Sequence, residues 1–416
     1  MFIELSVFSL FVRNACRNYK PSHFHNVPQV WGAAAGVDTT TREAIKELYK
    51  KQSAFVELDA NAQSRLFEIL RGVRQGDPMS PALFANSIRI CMASLSEKWE
   101  RAQLGTNIGC DFRGKSRLTF IMFADDTTII AKSKQALRKM LADLTEELSK
   151  LGLSMNAKKC SIQCSKARPH GDAVLKAGGL EFPIVSRDEG FKILGTMFTL
   201  NGAIGLELQR RQDAAWGKFH ELNRLLLKRD SSITKRLKLF ETTVSKTLLW
   251  GAESWVLTAK QKRQLRSTQR TMLRRIVDTR RRIDEDWVDW VKRATRVAET
   301  HAAAAKVESW VDSHLRLKWK CAGKIMNMSP ERWARRVTVW RDSEWSSWQL
   351  TGASAYGTRP IRSRAGHFQR WENELCQYAA SIGEQSWQSI ALDKSLWDSH
   401  TASFIRFIWK PNRVDE

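Results

Sequence analysis

The stretch that most constrains the fold runs from Thr119 to Ile130 and holds two adjacent carboxylates, Asp125 and Asp126, between two apolar runs. Apolar, β-branched runs of this length around turn-prone residues are typical of a β-hairpin. Because adjacent residues of a strand point to opposite faces, the two carboxylates can act on the same ligand only if they lie at the bend of the hairpin. Like charges held side by side repel each other, and a Mg²⁺ ion with oxygen ligands offsets that repulsion. The stretch therefore predicts either a metal site at a hairpin tip or an ordinary Asp-Asp turn on a surface hairpin.

The net charge of the chain indicates which kind of partner it has. Its 416 residues include 68 Lys and Arg against 44 Asp and Glu, a formal charge of +24 at pH 7. An excess of this size favours a polyanionic partner, nucleic acid first, over a protein that is basic for solubility alone. The seven cysteines are odd in number and scattered. That pattern is typical of reduced thiols and predicts a nuclear or cytoplasmic protein without a disulfide framework.

Two other patterns carry less weight. Cys160, Cys164 and His170 form a C-x3-C-x5-H cluster, but no fourth ligand follows at a spacing typical of a zinc finger. No apolar run approaches the ~20 residues of a membrane-spanning helix, so no membrane partner is expected. The apolar start, residues 2–12, lacks a basic leading segment and a small-residue cleavage site. It favours a buried strand, or an irregular terminus, over a signal peptide.

A loop rich in glycine, proline and charge precedes the predicted hairpin. It runs from Arg71 to Pro81 with the sequence RGVRQGDPMSP, a composition that excludes a regular element. The periodic apolar residues from 82 to 97 predict a helix with Pro81 in its first turn. Backbone N–H groups at a helix N-terminus, with Arg71 and Arg74 close by, are suited to a nucleotide or phosphate. A tight connector is the alternative explanation of the same composition.

Periodicity predicts short mixed elements up to residue 202 and long helices after it. The expected short elements are a helix at 41–51 with an N-cap among Thr39–Thr41, strands at 54–59 and 64–69, a helix capped by Ser133 and ending at Lys150, a turn and strand at 153–162, and a hairpin at 191–198. Long amphipathic helices are expected at 206–228, 232–249 and 258–278. Residues 201–280 carry 18 Lys and Arg against 7 Asp and Glu, which suits a groove that follows a nucleic-acid backbone or, alternatively, solvated helix faces. Twelve of the 17 tryptophans follow residue 280, where core packing is favoured over stacking on bases.

Several of these stretches resemble the reverse transcriptases of non-LTR (LINE-type) retrotransposons. The loop from Arg71 to Pro81 resembles their motif B, and Phe123-Ala124-Asp125-Asp126 resembles motif C. Residues 152–160 resemble motif D, and residues 191–195 resemble motif E, the primer grip. Gly251-Ala252-Glu253-Ser254-Trp255 is similar to a stretch common in the thumb of these proteins. The order and spacing agree, and the resemblance covers about residues 40 to 280.

The resemblance implies an α+β fold: a right-hand polymerase palm with an antiparallel sheet and helices, followed by an all-α thumb. The implied divisions are an unassigned N-terminal segment at 1–40, a partial palm at 41–202, a basic helical thumb-like domain at 203–280, and a Trp-rich, mainly helical C-terminal region of unknown role at 281–416.

The activity implied by the resemblance is RNA-directed DNA polymerisation, in which an RNA template, a DNA primer and dNTPs meet two Mg²⁺ or Mn²⁺ ions. By this resemblance Asp125 and Asp126 are catalytic metal ligands, and Lys159, or its neighbour Lys158, protonates or neutralises the leaving pyrophosphate. Nucleotide and template contacts fall on Arg71, Arg74, Gln75 and Gly76. The primer grip falls on Phe191, Lys192, Leu194 and Gly195.

One element of the family pattern is missing, the third carboxylate that motif A supplies from an earlier strand. Glu4 and Asp38 lie upstream, but neither has the neighbours of that motif, and residues 1–35 are expected to replace or truncate half of the palm. Losing one ligand of a catalytic metal is expected to lower the rate on the order of 10³-fold. The sequence therefore predicts a retrotransposon reverse transcriptase with impaired polymerisation. The alternative is a non-catalytic RNA- or DNA-binding remnant. An RNA-dependent RNA polymerase shares the two-Asp hairpin, and the motif B residues argue against it.

Overall fold

The computed structural model describes residues 6–14, 37–50, 52–59, 62–69, 73, 76–106, 117–124, 126–151, 153–164, 174–186, 189–199, 204–339 and 370–409, the first of these ranges as backbone alone. The chain divides into two compact units, Met1–Gly202 and Ala203–Glu416. Each unit has its own hydrophobic core. The first unit combines helices with sheet, and the described part of the second is helical, so the chain is α+β as predicted.

The elements of the first unit are short and alternate along the chain. Its described helices are α1 (Thr39–Leu48), α2 (Ser80–Arg101) and α3 (Lys134–Lys150), with one 3-10 turn at Ala157–Lys159. Its described strands are β1 (Ser6–Asn14), β2 (Ser53–Ala54), β3 (Glu57–Asp59), β4 (Ala62–Gln63), β5 (Phe67–Glu68), β6 (Phe120–Phe123), β7 (Asp126–Ala131), β8 (Leu153–Met155), β9 (Ser161–Cys164), β10 (Val174–Ala177), β11 (Leu180–Val185), β12 (Phe191–Ile193) and β13 (Thr196–Phe198).

Seven strands form one sheet in the order β10-β11-β9-β1-β7-β6, and β8 also pairs with β1. The pairs are antiparallel except for β9 with β11, which is parallel and therefore departs from the predicted antiparallel sheet. The long crossover through β10 brings β11 back in the direction of β9, which explains the exception. A strand has formed in the N-terminal apolar run, β1, and it pairs within the sheet of the first unit.

Two helices supply the apolar side chains that cover this sheet. Ser133 caps α3 as predicted, since its side chain accepts a hydrogen bond from the backbone N–H of Ala136 at 3.1 Å. The helix α2 begins two residues earlier and ends four residues later than expected, with Pro81 in its first turn. The largest fully buried residue of this core is Trp99, whose indole N–H donates to Asp143 at 3.0 Å. Fully buried partners are Met140, Leu141, Leu144, Ile129, Ile162 and Phe182.

Two local expectations need correction. The cap of α1 is Asp38 rather than Thr39–Thr41: its carboxylate accepts from the Thr41 N–H at 2.9 Å and from the Thr41 hydroxyl at 2.6 Å. Aspartate is preferred at this position because its side chain reaches the unpaired amides of the first turn. The two predicted strands after α1 are each broken into shorter pieces, which pair as β2 with β5 and β3 with β4.

The second unit is built from α4 (Gly205–Glu221), α5 (Asn223–Leu226), α6 (Ile233–Phe240), α7 (Lys246–Leu248), α8 (Ala259–Val277), α9 (Trp287–Ala304), α10 (Trp310–Met326), α11 (Trp333–Val339), α12 (Asn373–Ser381), α13 (Trp387–Leu392), α14 (Lys394–Ser399) and α15 (Thr401–Ile408). The predicted helix at 232–249 contains a π-helical turn at Glu241–Ser245. Thr243 contributes to it, because its hydroxyl donates to the carbonyl of Leu239 and competes with the regular ladder.

Tryptophans after residue 280 form much of the second core, as predicted. Trp319 and Trp397 stack with ring centroids 3.5 Å apart, and each indole N–H donates to the backbone carbonyl of the other residue. Trp310 is fully buried and donates to Ser245 at 2.8 Å. Because these partners lie on both sides of residue 280, the helices before and after it share one core. Trp340, Trp345 and Trp348 lie outside the described residues.

Candidate functional site

The hairpin that carries the paired carboxylates has formed as predicted. Phe123, the last residue of β6, pairs with Asp126, the first residue of β7, which leaves Ala124 and Asp125 as the two-residue connection. Asp126 is half-buried, and Asp125 lies outside the described residues. Ala124 has φ +52°, a left-handed conformation that costs a residue with a Cβ atom about 1–2 kcal/mol. The backbone is therefore sharply bent at Ala124, directly after β6.

Both edges of β7 are occupied by other strands. One edge pairs with β6, and the other pairs with β1 over six residues, where Phe11 lies opposite Asp126. The sequence of β1 is SVFSLFVRN, which contains no Asp or Glu. The strand next to the Asp126 position therefore offers no third carboxylate.

The donor set is accordingly small. Two adjacent carboxylates at one turn fit a single hard cation such as Mg²⁺, whereas bridging two metals takes ligands from a second strand. In the described ranges no group of three or more His, Cys, Asp or Glu side chains is arranged to hold a metal ion. Cys160 and Cys164 are buried, and His170 of the same sequence cluster falls outside the described residues. Within the described ranges, the side chains therefore do not fit a three-carboxylate, two-metal site.

The segment with Lys159 lies at the same end of the sheet as Asp126. In the register of β1, Ser161 lies opposite Ser9 and Asp126 lies opposite Phe11, on the two flanks of that strand. Neighbouring strands are about 4.8 Å apart, so the two flanks are separated by roughly 10 Å. Lys158 and Lys159 are exposed in the 3-10 turn that precedes Ser161. The two lysines are therefore two strands away from Asp126 at that end of the sheet.

The loop before α2 is described only in part. Arg71, Arg74 and Gln75 lie outside the described residues. Gly76 is exposed with φ +88°, a conformation that favours glycine. Asp77 fixes the loop to the helix, since its carboxylate accepts from the Met79 N–H and the Ser80 hydroxyl at 3.1 Å and from Tyr49 at 2.9 Å. This anchoring role was missed from the sequence, although Asp three residues before the helix start at Ser80 is a polar residue typical of the turn that leads into a helix.

The second predicted hairpin has also formed, as a separate two-stranded sheet. Leu194 and Gly195 both have positive φ, +48° and +79°, which is typical of a type I′ turn. Phe191 is buried and its ring lies 6.2 Å from that of Phe198, while Lys192 and Leu194 are exposed. The hairpin thus exposes the apolar Leu194 at its turn and the charged Lys192 beside it, while Phe191 packs against Phe198.

In the second unit, a buried network holds the stretch from Gly251 to Trp255. Gly251 adopts φ +74° and opens a 3-10 turn. The carbonyl of Ala252 accepts from His314 Nδ1 at 2.7 Å, and that of Glu253 accepts from Trp371 Nε1 at 2.7 Å. The Lys318 ammonium approaches the carbonyl of Trp255 at 3.5 Å. These partners lie 62 to 118 residues along the chain, so no local sequence signal could have revealed them.

Two lysines share one carboxylate inside this core. Glu374 accepts from Lys262 at 2.6 Å and from Lys318 at 2.5 Å, and the Lys318 side chain is fully buried. Burial raises the pKa of Glu374, but the two ammonium groups outweigh burial and hold that pKa below its ordinary value. Burial also lowers the pKa of Lys318, against the attraction of Glu374. The three charges of this network depend on one another. Removing one charged group leaves its partner buried in the core without a compensating charge.

His314 is expected to make the protein sensitive to acid. Burial, aided by the Lys318 charge, lowers the pKa of its imidazole to about 4. The unfolded chain takes up this proton below about pH 6.5 and the folded chain only near pH 4, so stability present above pH 6.5 is lost as pH falls toward 4. Between pH 7 and 4.5, the free energy of unfolding of the wild type is expected to fall by about 2–3 kcal/mol more than that of His314→Asn. Urea unfolding at both pH values measures the two changes. An equal loss in both proteins contradicts this expectation.

The comparisons with known proteins identify the first unit. Residues 22–198 match the family model described as reverse transcriptase (RNA-dependent DNA polymerase). An uncharacterized transposon-derived protein of Caenorhabditis elegans is 24% identical over 293 residues, which cover 67% of this chain and 94% of that protein.

Two relatives are retrotransposon polyproteins. The Pol polyprotein of a type-1 retrotransposable element R2 from Popillia japonica is 27% identical over 249 residues, 58% of this chain and 32% of the polyprotein. The Pol polyprotein of the type-2 element R2DM from Drosophila melanogaster is 31% identical over 147 residues, 34% of this chain and 13% of the polyprotein. This chain thus spans a third or less of the two polyproteins. It is a reverse transcriptase domain protein derived from a non-LTR retrotransposon.

Proposed function

We propose that this chain is a nucleic-acid-binding reverse transcriptase domain whose polymerisation is impaired in the chain by itself. The first unit is the palm, and the second unit begins with the thumb. The template is RNA and the primer DNA, with nucleotide and template contacts at Arg71, Arg74, Gln75 and Gly76. The primer end rests on Phe191, Lys192, Leu194 and Gly195.

At the hairpin, Asp125 and Asp126 hold one Mg²⁺, or Mn²⁺, which neutralises phosphate charge when bound. Lys159 carries a positive charge toward the leaving pyrophosphate. The observation that carries the impairment is the pairing of β7 with β1. Since Phe11 lies opposite Asp126 and β1 has no carboxylate, the second metal lacks a ligand from the neighbouring strand.

The test is a primer-extension assay on the full chain with an RNA template, a DNA primer, dNTPs and Mg²⁺ or Mn²⁺. We expect the chain to bind the primer–template but to extend it no faster than an Asp125→Ala variant does. The Popillia japonica R2 Pol polyprotein, assayed in parallel, is the positive control. Robust extension that Asp125→Ala abolishes overturns the impairment. Failure to bind the primer–template overturns the proposal as a whole.

A further inference from the structure

We infer that the second unit carries a binding cleft for single-stranded nucleic acid, formed by α8, α9 and the end of α15. The inference rests on the proposed function only in taking nucleic acid as the class of ligand. It places a strand-binding site in the second unit, apart from the hairpin with the paired carboxylates.

The cleft has a volume of about 1180 Å³ and is lined along one side by a row of arginines from α8. These are Arg263, Arg266, Arg270 and Arg274, and their spacing of three or four residues places them on one face of the helix. The first and last arginines of the row are eleven positions apart, roughly 16 Å along the helix at about 1.5 Å per residue. One strand of a stacked nucleic acid carries a phosphate about every 3.4 Å, so the row faces about five nucleotides. Lys292 and Arg296 from α9 also line the cleft.

The lining carries far more positive than negative charge. Seven cations and two carboxylates line the cleft, an excess of five positive charges. One carboxylate, Glu374, is held by Lys262 and the buried Lys318, and the other, Glu299, accepts from Arg270 at 2.8 Å. Burial and the neighbouring Arg270 charge together lower the pKa of Arg266 and of Arg274. The guanidinium groups therefore repel one another in a partly buried site, and a polyanion relieves that repulsion.

Aromatic side chains in the lining favour a single strand over a duplex or an acidic peptide. Phe407 and Trp409 line the cleft, and Phe407 is 41% exposed although its ring contacts Tyr378 edge-on at 5.7 Å. Sites for single strands combine a basic groove with aromatic rings on which unpaired bases stack. A duplex keeps its base faces covered, and an acidic peptide has none to offer. The combination of an arginine row with aromatic rings therefore indicates a single strand.

The experiment compares two triple variants of the full chain with the wild type. The cleft variant is Arg263→Gln, Lys292→Gln and Arg296→Gln, three exposed cations of the lining. The control is Lys235→Gln, Lys320→Gln and Lys324→Gln, which removes the same charge from exposed positions that do not line the cleft. Fluorescence anisotropy measures Kd from 0.05 to 0.5 M salt for a 12-nucleotide oligo(U) RNA, the matching oligo(dT), a 12-base-pair duplex and an oligoglutamate peptide.

The cleft variant is expected to bind the single strands roughly 100-fold more weakly at 0.1 M salt, and its salt slope should fall by about 2, since each phosphate contact contributes about 0.7. The control should lose less than about threefold, and circular dichroism checks the fold of both. The RNA and DNA arms tell which single strand is preferred. Equal losses in both variants, equal affinity for the duplex, or tighter binding of the peptide overturn the inference.

A second variant tests the stacking role and separates this site from the palm. Phe407→Leu keeps an apolar side chain but removes the ring, and it should weaken single-strand binding by at least about fivefold. An unchanged Kd for this variant overturns the assignment of a single strand. If the impaired polymerase proposal fails while these Kd values hold, the cleft assignment still stands.

Discussion

Replacing Glu374 with Gln is expected to lower the free energy of unfolding of the second unit by about 3–5 kcal/mol. Glu374 is the one carboxylate shared by Lys262 and Lys318, and the Lys318 side chain is fully buried. Glutamine keeps the shape and still accepts hydrogen bonds, but it removes the charge that compensates both ammonium groups. An uncompensated buried charge is far more costly than the net gain of an intact pair. Urea unfolding at pH 7, followed by tryptophan fluorescence, measures the change.

Two comparisons make this expectation specific. Glu384→Gln changes an exposed carboxylate of the same unit and should alter stability by less than about 0.5 kcal/mol. The combined variant Lys262→Met, Lys318→Met and Glu374→Leu removes the whole network and should be close to neutral, because apolar replacements of similar volume need no compensation. A Glu374→Gln protein as stable as the wild type contradicts the reading of Glu374 as the compensating charge.

Local patterns were enough to predict the parts of the fold that depend on neighbouring residues. The hairpin before Asp126, the Ser133 cap of α3 and the turn at Leu194-Gly195 each follow from a few consecutive residues. Each is governed by short-range steric and hydrogen-bonding preferences, which sequence displays directly. The tryptophan core followed from composition, because large apolar side chains gain most from burial.

The unpredicted features depend on pairings between distant residues. The central place of β1 follows from ladders with strands more than 100 residues away, and its apolar sequence alone is compatible with any strand of a sheet. The contacts of Lys318 and Glu374 join residues 56 positions apart, on helices whose periodicity does not distinguish a buried charge from a solvated one. The sequence of α8 alone does not show which of its faces lines the cleft, because that face is defined by the neighbouring α9 and α15.

The largest gain of activity is expected from Phe11→Asp. Phe11 is the residue opposite Asp126 in the β1–β7 register, so this change puts a carboxylate at the position where the site lacks one. Restoring a metal ligand is worth on the order of 10³-fold in rate at most, and at least a tenfold rise in primer extension over the wild type is expected. The matched control is Phe11→Asn, which has the same size as the aspartate variant but no charge and should give no gain.

A Phe11→Asp protein no faster than Phe11→Asn, with both folded by circular dichroism, contradicts the register argument. The pairing of β7 with β1 and β6 also limits how a missing ligand can arrive from elsewhere. Since β6 and β1 occupy the two edges of β7, a carboxylate strand from another polypeptide has to displace β1 before it can pair beside Asp126. Displacement breaks the β1 ladders with β7, β8 and β9 together, whereas a single change within β1 breaks none of their backbone hydrogen bonds. A carboxylate introduced into β1 itself should therefore restore primer extension, whereas an added peptide with the motif A sequence should not.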